Sequence, residues 1–250
     1  MQFDVVRSAI IKPFTVFILL TLLLCSSSFL FPAVASSDND GDYGDDYFDE
    51  DFEEDNSIHL CCAWGSNLGD GTLTYYIDHD SSDEEQMAIH SAVEEWDSNI
   101  KIDFLKLEGL SSEKNSDIRI KFQDESEKIT EGEEIAGQTV TTFDQYGFLE
   151  SAEITISRSI EAYDFETSTI EQVAKHEIGH ALGLGHANFE GNLMAERIND
   201  GTDTVSDCEI KAVIETNYWK LGDNDDHISI SNPGYPLGES TTCDDDDEYW

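Results

Sequence analysis

Positive charge is scarce in this sequence: 13 Lys and Arg stand against 55 Asp and Glu, a formal net charge of −42. Nucleic acid and anionic membrane surfaces repel such a polyanion, so neither is expected as a partner. Internal repeats are lacking as well. The length of 250 residues then implies one domain with tails, or at most two small domains. Apolar residues are not lacking. They make up 39% of the chain, with 13 Phe, 9 Tyr and 4 Trp, enough for a sizeable core. The acidic residues are partly clustered and the remainder alternates regularly, which argues against full disorder.

The first 35 residues read as a secretory signal peptide. Arg7 and Lys12 precede an apolar run from Phe14 to Leu24, and Ala33-Val34-Ala35 offers a small-residue cleavage site. The alternative is an uncleaved anchor, since residues 13–37 carry no charge and could span a bilayer. A lipid-modified Cys25 is a third reading, disfavoured by the bulky Leu24 before it. In each case the remainder is exported, and the expected location is secreted or extracellular.

Cysteines are few, and export governs how they read. Beyond Cys25 there are four, Cys61, Cys62, Cys208 and Cys243. An even count outside the cell implies disulfides, with three pairings open. A bridge between adjacent cysteines is strained. The expected pairing therefore ties Cys61 and Cys62 each to Cys208 or Cys243, with a metal-bound thiolate as the alternative.

Residues 36–57 form an acidic leader or propeptide: eleven of the eighteen residues from Asp38 to Asp55 are acidic, and no buried face can be built from them. Residues 221–250 repeat the theme as an acidic tail, pinned only if Cys243 is bridged. Between them, 58–220 reads as one domain. Leu73, Tyr75 and Ile77 alternate as a strand, and Ala88, Ile89, Ala92, Val93 and Trp96 recur at helical spacing. Ile102 with Phe104, then Ile118, Ile120 and Phe122, start two more strands. Ala136–Thr142 and Ala152–Ile156 follow. Ser168-Thr169-Ile170-Glu171 and Ser206-Asp207-Cys208-Glu209 are capping boxes that predict two closing helices.

Chemistry concentrates in His176-Glu177-Ile178-Gly179-His180-Ala181-Leu182-Gly183-Leu184-Gly185-His186. One helical turn separates His176 from His180, so both imidazoles can converge on one metal ion. Gly183 can take the positive φ that ends a helix and turns the chain back, delivering His186 as third ligand. Three neutral nitrogens and an open fourth position suit a catalytic zinc, with Glu177 beside them as general base. Chance yields the full pattern on the order of once in twenty thousand such chains, which makes ordinary surface histidines the weaker reading.

The long motif resembles the signature of the metzincin zinc endopeptidases, and within them the matrixins. Gly191-Asn192-Leu193-Met194-Ala195 resembles the family's Met-turn. Leu73–Ile77, the Trp96 helix, Asp117–Ile120, Ala152–Ile156 and Asp207–Trp219 resemble successive matrixin elements, so the likeness spans about residues 70–220. It implies an α+β fold: a mixed twisted sheet packed on helices, with the active-site helix and a Met-turn. By the same resemblance Met194 forms a hydrophobic floor beneath the zinc. Substrate lies along an edge strand near Ala152–Ser157, and the specificity pocket holds Glu196 and Arg197. Two features depart from the family: the propeptide cysteine motif is missing, and His59, His79, His90 and His227 do not match the second, structural zinc site.

The expected function is an exported zinc endopeptidase that depends on one catalytic Zn2+ held by His176, His180 and His186. Glu177 would take a proton from a zinc-activated water and pass it to the leaving amine. Calcium is a further candidate cofactor, suggested only by abundant Asp. A polypeptide substrate, a monomer, and no stable membrane association once the signal is cleaved complete the reading. The alternative is a zinc-containing acidic surface or calcium-binding module of the same fold without proteolytic activity, for which Glu177 would be superfluous.

Overall fold

The computed structural model describes residues 4–11, 55–109, 111–130, 133–160, 163–198, 201–221 and 240–243. The chain divides into one unit of Met1–Pro13 with Asp55–Trp250 and a second of Phe14–Glu54, which lies outside the described residues. The apolar run of the expected signal peptide and nearly all of the acidic leader therefore also lie outside them. Among the described residues no helix is long and apolar enough to cross a membrane.

In chain order the elements are β1 (Asp4–Ile11), β2 (Ser57–Leu60), β3 (Thr72–Ile77), α1 (Asp83–Asn99), β4 (Asp103–Lys106), β5 (Ile118–Gln123), β6 (Glu127–Thr130), β7 (Glu133–Phe143) and β8 (Leu149–Ser157). A short hairpin of β9 (Ser159–Ile160) and β10 (Tyr163–Asp164) leads to α2 (Thr167–Ala181) and β11 (Leu184–Ala187). Then come α3 (Asp207–Thr216), α4 (Tyr218–Leu221) and β12 (Ser240–Thr242). The fold is α+β. Its main sheet runs β1-β7-β8-β5-β3-β4, with β6 paired to the start of β7. The four strands from β4 to β8 are parallel, and β7 and β1 are antiparallel, so the sheet is mixed.

Alternation explains the strands. Ile118 and Ile120 of β5 and Ala152, Ile154 and Ile156 of β8 are buried. In register between them, Arg119 and Lys121 meet Glu153 as a cross-strand ion cluster. Helix α1 opens on a capping box that sequence reading overlooked, Ser82 with Glu85. It buries Ala88, Ile89, Ala92, Val93 and Trp96, and the Trp96 indole donates to the Lys175 carbonyl of α2 at 3.0 Å. The two helices are thereby locked side by side.

Three expectations are corrected. Helix α2 has no capping box at Ser168: it starts at Thr167 after Glu166, and Glu171 instead accepts from Ser91 and pairs with Lys175. A long-range partner on α1 and an i+4 neighbour within α2 outbid the local cap. The substrate edge cannot be β8, because β5 and β7 flank it on both sides.

The cysteines also pair differently: Cys61 bonds Cys62, and Cys208 bonds Cys243. Local packing explains both bridges. The amides of Cys61 and Cys62 both donate to the Gly183 carbonyl, folding that corner over the end of α2. Strand β12 adds to β2 beside α3, which brings Cys243 to Cys208 with Cα atoms 5.2 Å apart. Ser240–Cys243 is thus part of the domain and completes a second sheet, β11-β2-β12.

Candidate metal centre

Helix α2 is buried from Val173 to Ala181, including polar Lys175, His176, Glu177 and His180. Four polar side chains inside a helix core cost free energy unless each is satisfied. Lys175 pairs with Glu95 at 2.5 Å and Glu171 at 2.9 Å. His176 donates Nδ1–H to the Leu193 carbonyl and His180 donates Nδ1–H to the Leu184 carbonyl, both at 2.7 Å. A carbonyl can only accept, so each Nδ1 must carry the proton. In the neutral ring that leaves a lone pair on Nε2.

The two Nε2 atoms face each other at 3.0 Å. His186 joins them from β11, and one ligand atom from each of the three rings lies within 4.8 Å of the others. The Nε2 of His186 is buried without a hydrogen-bond partner among the described residues. Burial, reinforced by the neighbouring His186, holds His176 down to about 3, and burial with His176 and His186 beside it holds His180 well below its ordinary value. Burial also lowers His186, against the opposing charge of Glu196. The rings are therefore neutral at physiological pH. Lone pairs aimed at one another at this distance repel, and a shared cation removes the conflict. The donor set, three imidazole nitrogens, suits zinc.

The backbone delivers these rings. Gly183 follows α2 with φ +100°, and a Cβ there would collide with the Cys62 carbonyl oxygen. Strand β11 then pairs with β2, Leu184 opposite Leu60 and Ala187 opposite Ile58, which fixes His186 between them. On the other side, Ala187 N–H donates to the Met194 carbonyl at 2.8 Å, and Met194 is fully buried. A Cβ on Gly179 would stand 2.5 Å from the Met194 sulfur, so the thioether lies directly against the helix that carries the rings.

Three supports were not legible as site residues. Glu209, fully buried, accepts Leu193 N–H at 3.0 Å and Ser206 N–H at 2.8 Å. The acidic member of the α3 capping box thus holds Leu193, the residue whose carbonyl orients His176. Asn217, also fully buried, accepts Trp64 N–H and donates to the Leu182 carbonyl, both at 3.0 Å, closing the end of α2. Thr139 on β7 donates its hydroxyl to Glu177 Oε2 at 2.7 Å. The spacing of a capping box marks Glu209 in the sequence, but nothing local marks the other two.

Glu177 itself has no exposure, and burial pushes its carboxyl up to about 8 despite the Thr139 bond. Its Oε1 has no partner among the described residues. The side chain sits against β7, where a Cβ on Gly137 would come 2.5 Å from Oε1. Of the expected pocket residues, Glu196 is exposed and Arg197 half-buried, on the segment that follows Met194.

No curated protein matches the chain. The family model for matrixin, Peptidase_M10, matches residues 63–216, a span that runs from the Trp64 corner through the three histidines to the end of α3. With that match on more than half of its length, the chain belongs to the matrixin family of zinc-dependent metalloproteases.

Proposed function

We propose that the protein is an exported endopeptidase in which His176, His180 and His186 hold one catalytic zinc ion and Glu177 is the general base. The observation that carries this reading is the pairing of a three-imidazole cluster with a fully buried carboxyl group on the same helix. A zinc-binding scaffold gains nothing from burying Glu177 at the cost its raised pKa records. When bound, zinc supplies a water of lowered pKa and a Lewis acid for the scissile carbonyl. Glu177 accepts the proton of the attacking water and returns it to the leaving amine nitrogen. The buried walls of α2 and β7 keep bulk water from competing for that proton.

The substrate would lie along the outer edge of β7. Asp4–Ile11 is seen to pair there antiparallel, Val6 opposite Thr139 and Ser8 opposite Gly137, so this edge accepts an extended strand. Those residues belong to the expected signal peptide, and its removal after Ala35 would leave the edge open. Two disulfides suit an oxidising compartment, which supports export.

Cleavage-site profiling of the secreted protein on a peptide library, with and without a chelator, tests the activity. Internal cleavage that the chelator abolishes and zinc restores is the expected result; no cleavage across a diverse library would favour the binding module instead. N-terminal sequencing of the same preparation tests export, with Ser36 expected first.

A further inference from the structure

Glu177 has two carboxylate oxygens, and they sit in different surroundings. Oε2 accepts the Thr139 hydroxyl at 2.7 Å, whereas Oε1 is buried with no partner among the described residues. We infer that Thr139 is the positioning residue for the general base: it ties Oε2 down and so assigns the proton-transfer role to Oε1. This rests on the proposed protease reading and adds to it the residue that orients the base.

The geometry is set by β7. Residues two apart on a strand share a face, so Gly137 and Thr139 both point at α2. Gly137 leaves the room that Oε1 occupies, since a Cβ there would lie 2.5 Å from that atom. Thr139 supplies a hydroxyl hydrogen to Oε2. Register holds the two in place, with Gly137 opposite Ile156 and Thr139 opposite Ile154 of β8. A slip of one residue would turn both away from the helix.

The hydroxyl has a second acceptor within reach. Thr139 Oγ1 lies 3.1 Å from the Glu177 main-chain carbonyl oxygen. A hydroxyl has one hydrogen to give, and a charged carboxylate is the stronger claimant. Once Glu177 holds a proton, that claim weakens and the carbonyl competes. Thr139 can thus hold the side chain's place in either state without leaving its own position.

The test compares Thr139→Val, nearly isosteric but without the hydroxyl, with Thr139→Ser, which keeps it, in the secreted, zinc-loaded protein. Thr139→Ala replaces the valine variant if that does not fold. Loss of a hydrogen bond to a charged group should lower kcat about 10- to 100-fold in Thr139→Val. KM and zinc content should stay within about twofold, and Thr139→Ser should recover kcat to within about threefold of wild type. Crystal structures of the metal-free proteins give a second readout: one Glu177 carboxylate orientation in wild type and Thr139→Ser, and a rotated or divided one in Thr139→Val. Wild-type kcat in Thr139→Val, an equal loss in both variants, or an unmoved carboxylate in Thr139→Val would overturn the assignment. If wild type itself hydrolyses no peptide, the protease reading fails, while the carboxylate orientation still decides the role of Thr139.

Discussion

Glu177 is a carboxyl group kept from water, and its chemistry follows from that more than from its place in a motif. The H-E-x-x-H spacing located it, yet a helix wheel alone says only that it points away from both imidazoles. Its actual surroundings are Gly137 and Thr139, forty and thirty-eight positions upstream, which no local pattern connects to it. A consequence can be measured in zinc-free protein. Burial raises its folded pKa to about 8, above the ordinary 4.5, so the folded state binds the extra proton between those values. Stability must therefore fall as pH rises through this window, approaching about 1.4 kcal/mol per pH unit for one proton. Denaturant unfolding of metal-free wild type and Glu177→Gln should show their stability difference shifting in favour of the variant from pH 6 to pH 8. Parallel pH profiles would show that the carboxyl is not buried as described. The histidines, whose pKa values are lowered, are common to both proteins and cancel in the difference.

Elements were legible where periodicity has one cause. Strands β5 and β8 alternate because one face is buried in the core they share with α1 and α2, and α1 shows its helical stripe for the same reason. The closing helix α3 starts at the capping box read from Ser206 and Glu209. Reading failed where a residue had a better long-range offer, as with Glu171 at the start of α2, and where strand order mattered: β8 looks like an edge strand only until β7 is seen beside it. Helix α2 ends where Asn217 caps it from across the molecule. Asn217→Ala would strand Trp64 N–H and the Leu182 carbonyl without their partner, each costing about 1–3 kcal/mol. A drop of about 2–4 kcal/mol in unfolding free energy, with weaker zinc retention, is expected from denaturant titration and metal analysis. A change under about 0.5 kcal/mol would mean that the end of α2 does not depend on this side chain.

On the scale of the whole molecule, the second sheet ties the chain's distant parts to the metal centre: β12 holds β2, β2 holds β11, and β11 carries His186. The Cys208–Cys243 bridge fastens this arrangement across 35 residues. Removing it in Cys208→Ser/Cys243→Ser should cost about 3–4 kcal/mol by the loop-closure argument, read as a lowered denaturation midpoint. An unchanged midpoint would mean that the bridge adds nothing to the stability of the domain. The sequence pointed to a disulfide-closed domain but not to this pairing, because adjacency of Cys61 and Cys62 argues against their bond until the packing over Gly183 is known. The central claim is that this domain binds zinc through three histidines and cleaves peptides through Glu177. Metal content and peptide hydrolysis measured together on wild type, Glu177→Gln and His180→Ala test it most directly. The account predicts zinc near wild type with hydrolysis lowered ~10²–10⁴-fold in Glu177→Gln, and loss of both zinc and hydrolysis in His180→Ala. Near-wild-type hydrolysis by Glu177→Gln would contradict it.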